Sequence, residues 1–537
     1  MQRPGPDAEI IDSWKEISRY LNYDIRTLQR WERTRGLPVR RMPGGAKPGV
    51  YALKSELDAW RRSGGIHSAS AEDAGAERPP SIAVLPFLNL ARGEEDQYFA
   101  DGLADEIITA LSLVPGLRVT ARTSSFAFRG KEQDIREIGR KLKARAVLEG
   151  SIRRSGGRLR VSAQLIDTSE GYHLWSERFD REMTDVFAIQ DDITRAIVDA
   201  LRVRLTHAVP PARPQTGSSD AYHLWLKGRY HTLRQTPNEI LRSRELFGQA
   251  IALDPAFARA HLGLAESWWE GAVLGLDRPR EAVAIGRRSL LKALEIDDSL
   301  GEAHAMLGVY LGVHDFDWEA AERAFRRGME LSPASPQVRT RYATWLLEPN
   351  LRLDEARAEL ESALEFDPLS PVIHACLGHE LIFRRDFQQA SKELQLAIEI
   401  DPCYWIAHLM LAGSYAFQGR FDESLAVCEK LLQAAGPNPI LMGSAALVRA
   451  ILGDRQRAEE IRLRLIESNS YVCKLAVAWI HMGFGEPEHC LDWLEKAVEE
   501  REPLIVELNP KPLYDTVRLH PRFQALLSAM HLVKSNS

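Results

Sequence analysis

Small and large apolar positions recur at a regular interval through the second half of the chain. Five predicted helices end in related short steps, at Asp254-Pro255, Asp297-Asp298, Ser332-Pro333, Asp367-Pro368 and Asp401-Pro402. These steps are 43, 35, 35 and 34 residues apart, which fits one helix–turn–helix unit per interval, with an insertion near 276–280 in the first. The pattern predicts an α-solenoid of about eight helix pairs over residues 220–537.

Each unit combines residues that permit close approach with residues that fill a groove. One unit places Gly378 and Ala390 where two helices would meet, and Leu381 and Leu394 between pairs. The Asp-Pro step stops the second helix, because proline removes a helical hydrogen bond. This pattern resembles the tetratricopeptide repeat, and the resemblance implies a surface that binds a protein or an internal peptide. A last amphipathic stretch, residues 520–530, is expected to close the array.

Tryptophans lie at repeat spacing in the array, and most are expected to pack in its core. They are Trp268, Trp269, Trp318, Trp345, Trp405 and Trp493. One or two of them could instead line a concave peptide groove. A clamp for a free peptide carboxylate requires Lys and Asn on the inner helix, but one unit has Ala375, His379 and Ile382 at the matching positions. The sequence therefore favours a folded surface or an internal peptide as the partner.

The middle of the chain alternates strand and helix patterns. Residues 81–87 form a short apolar run that predicts a buried strand, and residues 101–113 have the periodicity of an amphipathic helix. Residues 146–154 and 159–167 alternate around a Gly-Gly turn, which predicts a hairpin. A helix over 186–205 is expected to complete an α/β domain that spans residues 81–206.

Several phrases of this middle domain resemble the TolB-amino-terminal-like domain. They are IAVLPF, YFADGLADEI, RTSSFAFRGK, LEGSIRRSGGRLRVSAQLIDTSEGYHLWSERFDR and FAIQDDI, and they cover residues 81–205. In bacteria such domains occur between a signalling or DNA-binding head and a repeat tail. The resemblance implies an accessory role in interaction or sensing, and it transfers no chemistry to particular residues.

The first 62 residues contain two short helical patterns joined by a brief turn. Ser13 and Glu16 have the spacing of a capping box at the start of the first helix. Asp24 is placed to cap the second, in which Ile25, Leu28 and Trp31 share an apolar face. The polar side of that helix is rich in arginine, and a basic segment follows it. These features predict a small winged helix-turn-helix over residues 13–62.

The candidate DNA-binding residues lie on the second helix and on the wing. They are Arg26, Thr27, Gln29, Arg30, Arg33, Arg40, Arg41 and Lys47. Arg and Gln suit base edges because they form paired hydrogen bonds there, and Lys and Arg suit phosphates. The partner predicted for this head is double-stranded DNA. The alternatives are a solvated charged helix face and a winged helix that binds protein.

The phrase SWKEISRYL followed by DIRTLQRWE resembles the winged helix-turn-helix heads of the MerR and excisionase type. The resemblance implies binding of a DNA duplex by the second helix and the wing. The chain lacks the long dimerising helix of MerR regulators, so a homodimer is left open. The competing hypothesis is a tetratricopeptide scaffold that does not bind DNA.

Charge is distributed unevenly and supports this assignment of the head. The net charge is −6, yet residues 13–62 contain twelve Lys and Arg against five Asp and Glu. A basic head on an acidic body favours contact of the head with a polyanion. Residues 1–12 are predicted as a tail, and residues 63–80 and 207–219 as linkers rich in Gly, Ser, Ala or Pro. The predicted fold class is multidomain and mainly α, with a winged head, an α/β middle and a helical solenoid.

Signatures of chemistry are missing from the sequence. It contains no phosphate-binding glycine loop, no H-E-x-x-H and no G-x-S-x-G. The histidines are spread singly and the five cysteines form no C-x-x-C pair, so no metal or other cofactor is expected. No catalytic residue is expected, and the sequence favours a protein that is not an enzyme. The absence of a signal-like start and of a long apolar run favours a cytoplasmic protein without membrane contact.

Overall fold

The computed structural model of the chain describes residues 10–21, 28, 32, 37–41, 50–62, 80–90, 94–112, 114, 116–130, 133–155, 158–182, 192–197, 216–232, 234, 236–434, 436, 438–467 and 471–532. They fall into two units, Met1–Pro79 and Pro80–Ser537. The α/β middle and the repeat array lie within one unit, although the sequence predicted a linker between them.

Among its described residues, the first unit contains a small three-stranded antiparallel sheet and two helices with defined bounds. Its elements are β1 (Ile10–Ile11), α1 (Trp14–Leu21), β2 (Arg40–Arg41), β3 (Val50–Leu53) and α2 (Lys54–Arg62). The strand order is β1-β3-β2, with Arg40 opposite Tyr51 and Ile10 opposite Leu53. β2 and β3 are therefore antiparallel neighbours. Residues 10–11, which we had expected in a tail, form the third strand because Ile11 packs into the core of this unit.

The first helix begins where the capping pattern places it. The Ser13 hydroxyl accepts a hydrogen bond from the Glu16 backbone N–H at 3.2 Å, and the Glu16 carboxylate accepts one from the Asp12 N–H at 3.4 Å. Ile17 and Leu21, four residues apart, are buried on one face of the helix. They pack in one cluster with Ile11, Leu28, Leu37, Ala52, Leu57 and Trp60.

The second unit begins with a six-stranded mixed sheet and its helices. The elements are β4 (Ser81–Val84), β5 (Leu88–Asn89), α3 (Glu94–Ser112), β6 (Arg118–Val119), α4 (Arg122–Phe126), α5 (Ile135–Leu142), β7 (Ala146–Ser155), β8 (Arg158–Asp167) and β9 (His173–Glu182). The order is β6-β4-β7-β8-β9, with β5 also paired to β7. β4 is parallel to β6 and β7, and β7, β8 and β9 form an antiparallel meander.

The α/β part matches the predicted elements with two differences. α3 begins at Glu94 and not at residue 101, and the strand predicted over residues 81–87 ends at Val84. Residues 192–197 are helical, within the predicted helix over 186–205, and the rest of that helix lies outside the described residues. α3 is buried on nearly all sides from Ala100 to Leu111, so it packs on more than the sheet alone.

Eight antiparallel helix pairs follow in the described residues. They are α6 (Ser219–Thr232) with α7 (Pro237–Leu253), α8 (Ala258–Val273) with α9 (Pro279–Ile296), α10 (Gly301–Val309) with α11 (Trp318–Leu331), α12 (Pro336–Tyr342) with α13 (Leu353–Phe366), α14 (Pro371–Phe383) with α15 (Phe387–Ile400), α16 (Trp405–Phe417) with α17 (Phe421–Ala434), α18 (Pro439–Ile451) with α19 (Arg455–Ile466), and α20 (Lys474–Gly483) with α21 (Pro487–Glu499). α10 and α12 continue as one π-helical turn each, Tyr310–His314 and Ala343–Leu347. Among the helices that are described, none combines the length and apolar character that crossing a bilayer requires.

Glycine on the first helix of a pair permits contact with a large side chain of the second. A Cβ added at Gly378 would lie 2.5 Å from the Leu394 side chain, and one added at Gly308 would lie 2.7 Å from Phe325. Such separations are shorter than atoms tolerate in a packed interior. The predicted alternation of small and large residues is therefore the packing that holds the pairs together.

The 43-residue interval does not arise from one inserted loop. α8 has 16 residues and α9 has 18, whereas α14 has 13 and α15 has 14. Only two further residues are added in the connection, which spans residues 274–278 and turns at Gly275 with a φ of +70°. The predicted insertion near 276–280 is thus mostly extra helix, because both helices of the pair are longer.

The array ends in a compact segment of short helices, here called the closing segment (residues 503–532). It comprises two 3₁₀ turns, Pro503–Leu508 and Pro512–Tyr514, and the helix α22 (Pro521–Ala529). Phe523 and Tyr514 are fully buried, and both belong to an apolar cluster that extends from Leu262 to Leu532. The amphipathic helix predicted over 520–530 is present and completes the core.

Candidate functional site

Strand β2 presents two of the predicted DNA-binding residues. Arg40 and Arg41 have about half of their side-chain surface exposed, 48% and 51%. Arg40 pairs with Glu56 at 2.5 Å, and Arg41 pairs with Glu32 at 2.8 Å. Exposed pairs of this kind contribute little stability, so a phosphate group can replace either carboxylate at low cost.

The other predicted residues, Arg26, Thr27, Gln29, Arg30, Arg33 and Lys47, lie outside the described residues. Two positions of the predicted second helix are described. Leu28 is helical and fully buried, and Glu32 is helical and pairs with Arg41 of β2. Burial of Leu28 agrees with the apolar face predicted for the second helix. The winged helix-turn-helix assignment and its DNA contacts remain predictions.

The closing segment contacts three of the repeat pairs. His379 on the first helix α14 lies with its Nε2 3.8 Å from a Glu507 carboxylate oxygen. Trp318, the first residue of α11, donates a hydrogen bond from Nε1 to the Met530 carbonyl at 2.8 Å, and Asn509 donates to the carbonyl of Pro349 between α12 and α13 at 2.9 Å. The closing segment therefore covers part of the surface that an extended peptide would otherwise reach.

The repeat tryptophans serve packing. Trp269 and Trp405 are buried, and the other four that we singled out are half-buried. The ring of Trp269 meets Trp345 and Tyr310 edge-on, with centroids 5.3 and 5.7 Å apart. Edge-to-face contacts of this kind stabilise a core. In the part of the array that is described, these side chains follow the core-packing expectation.

A charged cluster joins α3 to the first helices of the array. Asp105 pairs with Arg229 on α6, and Glu106 lies 3.6 Å from Arg259 on α8. Asp101 pairs with Arg129 at 2.5 Å. The helix begins at Glu94, so these acids are mid-helix and their partners are arginines.

Burial perturbs the charges of this cluster. It raises the pKa of the Glu106 carboxyl, against the lowering effect of the Arg259 charge. It also lowers the pKa of the Arg122 guanidinium, while the Asp105 carboxylate raises it. Both directions reflect the cost of removing a charge from water. Loss of one partner would leave the other buried, so the cluster couples α3 to the array.

A second contact joins the α/β part to the loop after α13. The buried Asp367 carboxylate accepts hydrogen bonds from the Ser124 backbone N–H at 2.9 Å and from its hydroxyl at 2.6 Å. The Ser124 hydroxyl oxygen accepts from the Leu369 N–H at 2.7 Å, and the Ala121 N–H donates to the Phe366 carbonyl at 2.7 Å. The α/β part therefore contacts the array at two places, through the charged residues of α3 and through the hydrogen bonds between Ser124 and Asp367.

Two family matches cover parts of the second unit. Residues 77–196 match the family described as "HilA/YgeH-like transcriptional regulator, second domain". Residues 377–439 match the tetratricopeptide repeat family. The repeat prediction is confirmed. The α/β part matches a domain of transcriptional regulators, and its resemblance to the TolB-amino-terminal-like domain stays a prediction. Together the matches indicate regulatory and protein-interaction roles.

Two curated relatives match over about half of the chain. A protein named "Putative adenylate cyclase 3" from Rhizobium meliloti is 38% identical over 277 residues, which cover 49% of this chain and 46% of the relative. "Transcriptional regulator HilA" of Salmonella typhimurium is 23% identical over 296 residues, covering 54% and 51%. The chain spans about half the length of these relatives.

One solved structure is similar to part of the chain. The structure titled "Functional Characterization of Pseudomonas Aeruginosa pilF" is 20% identical, with a TM-score of 0.30, and covers 40% of this chain and 94% of that one.

The relative from Rhizobium meliloti corrects one expectation. The sequence alone favoured a protein that is not an enzyme, because no familiar catalytic motif was found. A relative with 38% identity over 277 residues bears the name of an enzyme, and this contradicts that expectation. A motif search recognises only chemistry with a short linear signature, whereas similarity over hundreds of residues does not require one.

Proposed function

We propose that the chain is a transcriptional regulator that binds DNA through residues 13–62 and contacts a protein partner through its repeat array. The observation that carries the proposal is the match of residues 77–196 to a domain of HilA-like transcriptional regulators. The charge of the head supports it, since residues 13–62 contain twelve basic and five acidic residues in a chain of net charge −6. The competing candidate is a scaffold whose head does not bind DNA.

In this proposal the wing contacts the DNA backbone and the second helix contacts base edges. Arg40 and Arg41 exchange their carboxylate partners for phosphates, because Glu56 and Glu32 hold them only at the surface. Arg26, Gln29 and Arg30 supply the paired hydrogen bonds that discriminate bases. The head alone carries this function, and the array carries the protein contact.

The closing segment covers part of the array's surface, and this favours a folded partner over an extended peptide. An internal peptide would have to displace the closing segment, which is held through Asn509, Trp318 and the buried Phe523. The exposed second helices and turns of the array present the surface that remains free to meet a folded protein.

The DNA-binding proposal predicts a steep salt dependence. Arg26→Ala combined with Arg30→Ala should weaken duplex binding by the full chain at least about tenfold, since each lost phosphate or base contact costs about 1–3 kcal/mol. DNA fragments enriched by the chain would be titrated by fluorescence anisotropy over a range of salt concentrations. Because the proposal places Arg40 and Arg41 on phosphates, Arg40→Ala combined with Arg41→Ala should make the log–log salt slope less steep by about 2.

The control is Arg326→Ala combined with Arg327→Ala, two exposed arginines of α11 that pair only along their own helix in the described structure. This variant removes the same charge and should leave DNA binding and its salt slope unchanged. No shift with any duplex, or equal weakening by both variants, would refute the DNA-binding role and favour the scaffold.

Nucleotide cyclisation is a second candidate, favoured by the similarity to the protein named as a putative adenylate cyclase. In that reaction the ribose 3′ oxygen of ATP bonds to the α-phosphorus and pyrophosphate leaves. The full chain would be incubated with ATP and Mg²⁺ or Mn²⁺, and cyclic AMP would be quantified beside a heat-denatured sample. Turnover by the native full chain above that background is the supporting result. Equal amounts in native and denatured samples would remove this candidate.

A further inference from the structure

The turn between α20 and α21 brings two histidines and a glutamate together. His481 lies in the last turn of α20, Glu486 directly precedes α21, and His489 lies in its first turn. One potential ligand atom from each lies within 4.8 Å of the other two. Gly485 allows the reversal, since its φ of +71° is one that side-chain-bearing residues rarely adopt.

The distances are compatible with three ligands around one metal ion. The Glu486 Oε2 is 2.8 Å from His481 Nδ1 and 3.5 Å from His489 Nδ1. Tetrahedral zinc with ligand bonds of about 2.0–2.1 Å separates its ligands by about 3.3 Å, a value between these two distances. A carboxylate in an ion pair needs only one imidazolium as its partner. Here a second imidazole nitrogen lies near the same carboxylate oxygen, so the three side chains together offer three metal ligands.

Neighbouring side chains orient His481 and Glu486, as residues outside the ligand set of a metal site do. Arg455 binds the other oxygen of Glu486 and stacks over Phe484 at 4.2 Å, which holds Oε2 toward the imidazoles. His481 is buried, with its ring edge-on to Phe484. His489 is 65% exposed on its side chain, so the fourth position opens to water. Such outer contacts fix ligand geometry and tune affinity.

We propose that His481, Glu486 and His489 form a zinc-binding site with water as the fourth ligand. Two imidazoles and one carboxylate are a ligand set that zinc accepts, and nitrogen ligands select it over Mg²⁺ or Ca²⁺. The ion joins α20 to α21 and so fixes the last pair beside the closing segment. The sequence did not indicate it, because each histidine appears alone until the turn brings the helices together.

Zinc titration of the full chain tests the site. After treatment with a chelator, the wild-type chain should bind one equivalent of zinc in calorimetry, and Co²⁺ should give the visible absorption of a tetrahedral complex. His489→Ala should lose that equivalent or bind at least about a hundredfold more weakly, and should lose the Co²⁺ band. Because His489 is largely exposed, this variant should fold.

Two further variants make the result decisive. His173→Ala, an exposed histidine on β9, should bind as the wild type does. Arg455→Ala should weaken zinc about 10- to 100-fold while the stoichiometry is kept, which a purely structural arginine would not do. Zinc should raise the melting temperature of the wild type and not that of His489→Ala. Equal zinc binding by the wild type and His489→Ala, or none by the wild type, would overturn the site.

Discussion

Asp367→Ala is expected to lower the free energy of unfolding of the second unit by about 3 kcal/mol. The Asp367 side chain is buried, and it accepts hydrogen bonds from both the N–H and the hydroxyl of Ser124. Leaving a buried donor unsatisfied costs about 1–3 kcal/mol. Burial raises the pKa of Asp367, so relief of that desolvation offsets a part of the loss.

A matched control lies one repeat further along. Asp401 occupies the same position before Pro402, but its carboxylate accepts from the nearby Cys403 N–H at 2.9 Å. Asp401→Ala should therefore cost only about 1 kcal/mol. Denaturant unfolding of both variants, followed by circular dichroism, measures the difference. Equal losses would show that the Ser124 contact does not couple the α/β part to the array.

Phe523→Ala should be more damaging still, with a loss of about 3–5 kcal/mol. Its ring is fully buried, and its centroid lies 5.7 Å from that of Tyr514. The Tyr514 hydroxyl accepts a hydrogen bond from Trp479 Nε1 at 2.8 Å, so the cavity would loosen a contact between α20 and the closing segment. The effect is large because the closing segment completes the array's own core.

Leu519→Ala provides the comparison within the same segment. Leu519 is 90% exposed, so its truncation should change stability by no more than about 0.5 kcal/mol. Thermal and denaturant unfolding of both variants would be compared with the wild type. If Phe523→Ala were as mild as Leu519→Ala, the closing segment would be an appendage that leaves the inner surface free for a peptide.

The repeats were accessible to prediction because their information is local. The Asp-Pro steps and the pairing of Gly378 with Leu394 lie within a few tens of residues, and each recurs in several units. The hairpin of β7 and β8 and the capping of α1 by Ser13 were predicted for the same reason. Because the same pattern recurs in several units, it can be recognised even where one unit departs from it.

The junction between the α/β part and the array was not predictable in this way. Ser124 and Asp367 are 243 residues apart, and neither departs from its local pattern. Asp105 likewise resembles an ordinary surface acid until Arg229 is placed beside it. Such pairs depend on how the array curves, and that curvature follows from small rotations summed over many repeats. The ligands His481 and His489 were missed because they belong to two helices.

Later helices of the array also pack against its first helices. Ile240 on α7 and Leu274 after α8 share an apolar cluster with Trp405 on α16 and Leu441 on α18. An open solenoid tolerates the gain or loss of one repeat, since each contacts only its neighbours. Here a change of one 34-residue unit would move α7 out of register with α16 and shift Pro349 away from Asn509. Solenoids commonly diverge by duplication or deletion of a single repeat. In this array such a change would break the contacts between distant repeats, so its geometry sets the number of repeats.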